Sequence, residues 1–187
     1  MARSHCYLFL ILFKGFMCRK DREIKLRLGR EGDGRNIAQI HYRAIHEIAF
    51  NDYPVKILNA WGRSLSEKEL VKREDNFNRR IKRDNNIVVV AEINEEIAGF
   101  GEVAIQEREL TALYVNPDFQ RQGVGTAIAK DLESRATQSG FKYLKLHSSL
   151  TAEPFYKQNG FQKEKEGTHI LATGEEMACV IMKKQIG

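Results

Sequence analysis

Leu113-Tyr114-Val115-Asn116-Pro117-Asp118-Phe119-Gln120-Arg121-Gln122-Gly123-Val124-Gly125-Thr126 reads as a strand, a sharp stop, a loop with two glycines and the opening of a helix. Asn116-Pro117 ends the strand, because the residue before proline is pushed out of helical backbone and proline gives a ladder no N–H. Neither Gly123 nor Gly125 carries a Cβ, so the backbone can come close to a bulky group there. The helix that follows offers unpaired N–H groups and the positive end of its dipole. Together these features make a cradle for a phosphate or pyrophosphate.

Three phosphate loops compete for this stretch. A P-loop needs Gly-Lys-Ser/Thr after its spacer, whereas Gly125 is followed by Thr126 and Ala127. A dinucleotide fingerprint needs a third small residue where Ile128 stands, and an acidic ribose ligand after the next strand. The third pattern, Q/R-x-x-G-x-G/A, is met by Gln120, Gly123 and Gly125. An apolar-patterned helix follows, with Ile128, Leu132 and Ala136 on one face. Further on comes Ala152-Glu153-Pro154-Phe155-Tyr156-Lys157-Gln158-Asn159-Gly160-Phe161, a short helix carrying Phe-Tyr and ending at Gly-Phe. With these two landmarks in this order and spacing, the chain resembles the GNAT superfamily of acyl-CoA-dependent N-acyltransferases. The likeness spans roughly residues 24–184 and is specific from Ile87 to Phe161.

Working outward, Ile24 to Leu28 alternates as a strand should, and Asp33 is a helix-start signal. Ile37, Ile40, Ala44 and Ile48 recur at helical spacing from about Asn36 to Phe50, and Tyr53-Pro54 breaks that helix. A charged helix is predicted to start at Ser66, with Glu69 completing a capping box, and to run through Leu70 and Phe77 toward Ile81. Ile87 to Ala91 is apolar throughout, as in a strand covered on both faces. Asn94-Glu95-Glu96 turns into a strand over Ile97 to Ile105, whose Gly99 and Gly101 suggest close backbone approach. Then follow a strand from Glu109 to Val115, a helix Thr126–Ser139, a strand Tyr143–Leu146, a helix Ala152–Asn159, and strands near Phe161–Lys165 and Met177–Met182. The order β-α-α-β-β-β-α-β-α-β-β is the one the GNAT fold uses. The expected architecture is α/β (a mixed α+β sheet of six to seven strands) flanked by about four helices.

At 187 residues the chain is long enough for one domain with a proper core. Its 42% hydrophobic and 29% charged content is that of a soluble globular protein. The net charge of +5 does not imply a nucleic-acid partner. Residues 1–23 carry five basic side chains (Arg3, Lys14, Arg19, Lys20, Arg22) against Asp21 and Glu23, and so hold most of that excess. Tyr7 to Phe13 is an apolar run of seven, far short of the roughly 20 residues a membrane span needs. No small-x-small cleavage site follows it, only Gly15-Phe16-Met17-Cys18. We expect the domain to occupy residues 24–187 and residues 1–23 to be an accessory tail, with Met17 a candidate start and a weak membrane-surface anchor the alternative. Cys6, Cys18 and Cys179 have no metal-like spacing, and a reducing, cytoplasmic setting is expected. The five histidines form no H-E-x-x-H or similar cluster, so no metal site is expected.

The resemblance implies acetyl transfer from acetyl-CoA, as co-substrate, to a primary amine of a small molecule or peptide. It assigns the pyrophosphate to Gln120, Arg121, Gln122, Gly123, Val124, Gly125 and Thr126, and the pantetheine arm to the backbone of Leu113, Tyr114 and Val115. Arg121 is the stronger phosphate donor, being charged. Tyr156 matches the tyrosine that many relatives use as general acid. With a phenol near 10 and a thiol near 8.5, delivering that proton costs about 2 kcal/mol before any tuning. Glu109 matches the catalytic glutamate of the histone-acetylating branch, with Glu107 and Glu102 as weaker rivals. An alkylammonium and a carboxylate differ by about six pKa units, so Glu109 would need burial or a relaying water. Many relatives carry an asparagine before the Phe-Tyr helix, where this chain has His147-Ser148-Ser149-Leu150-Thr151-Ala152, and Ser148 or Ser149 would substitute. The acceptor is expected between the first two helices and the last hairpin, with Tyr53, Trp61 and Gly167-Thr168-His169 as walls. Transfer is expected by direct attack in a ternary complex, since Cys179 lies in a core strand. A homodimer is possible, and neither nucleic acid nor membrane is an expected partner. The rival readings are a catalytically silent acyl-CoA-binding module and transfer to RNA-linked aminoacyl groups.

Overall fold

The protein's structure, a computed structural model, describes residues 23–187. The accessory tail proposed for residues 1–23 thus lies, all but its last residue, outside the described residues. These form the strands β1 (Lys25–Leu28), β2 (Asn86–Ile93), β3 (Glu96–Ala104), β4 (Glu109–Val115), β5 (Tyr143–Ser149), β6 (Gln162–Ile170) and β7 (Glu176–Gln185). The helices are α1 (Gly34–Arg43), α2 (Val55–Trp61), α3 (Glu67–Ile81), α4 (Val124–Gln138) and α5 (Glu153–Gln158). One sheet runs in the order β1-β2-β3-β4-β5-β7-β6, antiparallel except at β4–β5. The expected mixed sheet is borne out, with seven strands and one helix more than expected.

Val88 to Ala91 of β2 are all buried because α1 and α3 cover one face of the sheet and α4 the other. The tight approach read from β3 is present. A Cβ at Gly101 would stand 2.7 Å from Ile128 and Leu132 of α4, and one at Gly99 would stand 2.8 Å from the Tyr114 carbonyl. The β2–β3 turn is made by Asn94 and Glu95, both at positive φ, the twist that joins adjacent antiparallel strands.

Several local expectations need correction. Pro54 ends nothing by itself: it is the N-cap of α2, a helix missing from the sequence reading. Proline's fixed φ suits a helix entry as well as a break. The helix predicted to Phe50 is α-helical only to Arg43, then widens into a π-helical turn over Ala44–Ile48 and tightens into a 3₁₀ turn over Ala49–Asn51. Ser66 and Asp33 do stand at N-cap positions, but neither side chain caps its helix. Glu69 turns instead to the Lys72 ammonium at 2.9 Å. The Asp33 carboxylate takes two bonds from the Arg27 guanidinium and one from the Arg30 N–H, pinning the end of β1 to the start of α1. Among the described residues no helix is long and apolar enough to cross a membrane.

Candidate active site

β4 and β5 are the one parallel pair, and their register contains a single match, Glu109 with Lys145. Beyond it the strands part, so the β5-facing backbone of Leu110 to Val115 has no ladder to complete. An extended chain could take up those peptide groups, since unpaired backbone donors and acceptors are costly when buried. The gap opens into a cavity of about 550 Å³, lined by residues from both faces of β4, by Gln120, Arg121 and Gly123 to Thr126 of the loop (the expected Gln122 does not line it), and by α5. Leu113 and Val115 pack on the α4 side, whereas Tyr114 lies among α1, α2 and α3. A bulge between Glu102 and Val103 in the pairing of β3 with β4 leaves Thr111 as the extra residue.

One end of the cavity is the glycine loop. Asn116 accepts from the Asp118 N–H and starts a 3₁₀ turn over Pro117–Phe119. Arg121 (φ 58°) and Gly123 (φ 83°) are both left-handed. Backbone that changes hand in this way curls successive N–H groups around a concavity suited to an anion. α4 then begins at Val124 with no side-chain cap and no acidic residue in its first turn. Its first N–H groups therefore face outward for a ligand to satisfy. Gly125 is needed for a different reason than Gly123. A Cβ on Gly125 would press on the Phe155 ring at 3.1 Å, so this glycine lets α5 lie against α4. Arg121 is exposed and makes no ion pair among the described residues. Gln122 donates to the Asp118 carbonyl at 3.2 Å. Arg43 braces the loop from outside, reaching Asn116 Oδ1 at 2.9 Å and Asp118 Oδ2 at 2.7 Å. That brace joins residues 73 and 75 positions apart and has no local signature.

Tyr156 lines the middle of the cavity on α5, 6% exposed, between the rings of Phe155 and Phe161. Burial holds its phenol protonated well above the ordinary tyrosine value, and nearby Tyr114 adds to this. Glu109 lines the cavity where the strands part, 23% exposed on its side chain and 3.6 Å from the Lys145 ammonium. Its rival Glu102 is buried against Arg80 on the other side of β3, and burial raises its pKa despite that partner. Neither Glu102 nor Glu107 lines the cavity. Of the two serines, Ser149 lines the cavity and accepts from the Ala152 N–H at the start of α5. Ser148 is buried and bonds the Ser149 carbonyl.

The far end is walled by Ala44, Ile48 and Ala49 from the widened turn after α1, by Trp61, and by Met177 of β7. A π-helical turn re-aims side chains in this way and often accompanies a site. Tyr114 stacks on Phe100 at 5.5 Å, meets the His41 ring at a tilt at 4.6 Å, and has the Trp61 ring beside it at 6.4 Å. Burial pushes its phenol up to about 12. Behind it, Arg73 donates to His41 Nδ1, which fixes the ring proton on Nε2. Burial, with the Arg73 charge beside it, drives the His41 pKa down to about 3. His147 and His169 face each other edge-on at 6.1 Å and both line the cavity. From sequence neither has a role: His147 stands only in the stretch before the Phe-Tyr helix and His169 only in a wall of the acceptor site. Alternation along β5 from Lys145 was the available signal for His147.

Tyr53, expected as a wall, is instead a tie. Its hydroxyl donates to the Ala178 carbonyl at 2.7 Å and accepts from the Leu150 N–H at 2.8 Å. These are the next groups after the Ser149–Cys179 pair of β5 and β7. The phenol stands where the ladder would have continued and turns the chain out of β5 toward α5. Cys179 is buried in β7 and burial raises its thiol pKa, which disfavours the thiolate a nucleophile needs.

A model of the acetyltransferase (GNAT) domain matches residues 62–177 of this chain. An uncharacterized N-acetyltransferase of Escherichia coli K12, YafP, is 28% identical over 143 residues, covering 76% of this chain and 84% of the relative. A GCN5-related N-acetyltransferase from Rhodopseudomonas palustris superposes with a TM-score of 0.76 at 24% identity, covering 86% of this chain and 94% of that one. The PaiA N-acetyltransferase of Thermoplasma acidophilum, solved with coenzyme A, gives a TM-score of 0.70 at 18% identity over 87% and 99% of the two chains. The chain belongs to the GNAT acetyltransferase family.

Proposed function

We propose that residues 24–187 form an N-acetyltransferase domain that moves an acetyl group from acetyl-CoA to a primary amine by direct attack in a ternary complex. The observation that carries this reading is one continuous cavity joining an uncapped helix start, an unpaired strand edge and a buried tyrosine. The residues present suit acetyl-CoA: amide donors and Arg121 face the pyrophosphate end, and the open edge of β4 can pair with the amides of a pantetheine arm. The Thermoplasma relative solved with coenzyme A supports the same assignment. When bound, acetyl-CoA supplies an acetyl group activated as a thioester.

Gln120 to Thr126 hold the anionic end, and Leu113, Tyr114 and Val115 align the arm. Tyr156 keeps a proton on Oη for the departing sulfur. Its raised pKa makes it a weaker acid in isolation, yet the same dry surroundings raise the basicity of a thiolate formed there, so the proton transfer stays close to balanced. Glu109, partly exposed and paired with Lys145, is better placed to receive the amine proton through water than directly. His147, on the same face of β5 as Lys145, can extend that relay.

Tyr156→Phe tests the assignment. We expect kcat to fall by about 10²–10⁴ with the affinity for acetyl-CoA nearly unchanged, because the group acts only as charge develops on sulfur. A variant with native kcat and an unaltered pH profile would remove Tyr156 from the chemistry.

A further inference from the structure

The two ends of the cavity differ in charge. Among the described residues, its lining contains only two side chains with formal charge at neutral pH, Glu109 and Arg121. Arg121 belongs to the glycine loop, which leaves the far end with no cation in its lining; Lys145 does not line the cavity and is paired with Glu109. Ile48, Ala49, Trp61, Tyr114 and Met177 make that end apolar and aromatic. Its one carboxylate, Glu109, is already engaged by Lys145 at 3.6 Å. The apolar character continues outside. Of the six large hydrophobic side chains exposed among the described residues, four are Phe50, Val55, Leu150 and Ile170. Three of these adjoin lining residues in the chain: Phe50 follows Ala49, Leu150 lies between Ser149 and Thr151, and Ile170 follows His169. Val55 begins the helix that carries Trp61. The 2.6 Å bond from Thr151 Oγ1 to Asp52 Oδ2 brings the first two of these segments together.

We infer that the acceptor is a primary amine on an uncharged apolar or aromatic body, an arylalkylamine in type, and neither an amino acid with a free carboxylate nor a polyamine. The inference rests on the acetyltransferase reading and names its second substrate. A carboxylate beside the amine would enter a chamber that offers no cation and already holds Glu109, and an unpaired buried charge is strongly disfavoured. A second ammonium would likewise find no free anion. An aromatic ring would find Trp61 and Tyr114, with Met177 as a soft contact.

The test is a comparison of kcat/KM for 2-phenylethylamine, L-phenylalanine and spermidine, read by free thiol release and product mass. A calorimetric titration with acetyl-CoA on the same preparation accompanies it. We expect 2-phenylethylamine to exceed both others by at least about tenfold. Ile48→Arg, which adds a cation to the apolar wall, should narrow the ratio over phenylalanine at least about tenfold. Phenylalanine or spermidine matching 2-phenylethylamine in the native protein overturns the inference. So does a complete lack of turnover of 2-phenylethylamine at millimolar concentration while acetyl-CoA binds. Failure of acetyl-CoA itself to bind would instead strike the acetyltransferase reading.

Discussion

At the proposed phosphate end of the cavity the lining is drawn largely from one short stretch of chain, Leu113 to Val115 and Phe119 to Thr126 without Gln122. At the acceptor end it comes from the turn after α1, from Trp61 and from strand residues as distant as His147, His169 and Met177. The first end is a local device: strand, proline stop, two left-handed residues and a helix start follow one another, each set by its neighbours. The second exists only after the sheet has formed, and it is held by side-chain ties such as Tyr53 between Leu150 and Ala178. A local device should fail by local substitution, and an assembled one by cutting its ties or by weakening the packing behind it.

Gly125→Val should break the phosphate end most severely. A Cβ alone would already meet Phe155 at 3.1 Å, and a branched side chain would push α5 off α4. We expect acetyl-CoA affinity, read by calorimetry, to fall by about 100-fold while far-UV circular dichroism keeps the native shape. Unchanged affinity would show that the approach of α5 to α4 does not matter to the loop.

Tyr53→Phe addresses the acceptor end. It leaves the Leu150 N–H and the Ala178 carbonyl without their shared partner, a loss of about 1–3 kcal/mol in unfolding free energy by denaturant titration. The two ends should separate in the kinetics, with KM for the amine raised and acetyl-CoA affinity kept. Equal damage to both would mean that they are not independent.

Acid should distinguish the ends by titration. His41 backs Tyr114 and has a folded pKa near 3 against an ordinary 6.5. As pH falls below 6.5 the unfolded chain gains a proton that the folded one refuses, so stability drops by about 1.4 kcal/mol per pH unit until the folded pKa is reached. His41→Gln, which can still accept from Arg73 but cannot titrate, should flatten that slope. At the phosphate end Asp118, hydrogen-bonded by Arg43, has its pKa lowered below the ordinary 3.8. Its stabilisation is therefore present above 3.8 and is lost only as pH falls further. A slope that His41→Gln leaves intact would place the acid sensitivity elsewhere.

The same contrast explains what could be read from the sequence. Seven strands, the glycine loop and the start of α5 rest on short-range signals: alternation, proline and glycine placement, and the apolar run of β2. What escaped was either ambiguous locally or nonlocal. Pro54 opens a helix with the same φ that would let it break one, so α2 was lost. The π-helical turn over Ala44–Ile48 keeps nearly helical spacing in its apolar residues and looks like a longer α1. Arg43, which braces Asn116 and Asp118, and Tyr53, which joins strands far apart in the chain, are visible only once distant segments meet. Glu109 was singled out by its resemblance to a family glutamate, but neither its place at the parting of β4 and β5 nor its lysine partner was foreseen.

The measurement that bears most directly on the central claim is a calorimetric titration of the native chain with acetyl-CoA. The expected result is one site per chain with a dissociation constant in about the micromolar to sub-millimolar range, weakened by Gly125→Val. No heat of binding at millimolar ligand would contradict it, and would reduce the glycine loop to a turn that joins a strand to a helix.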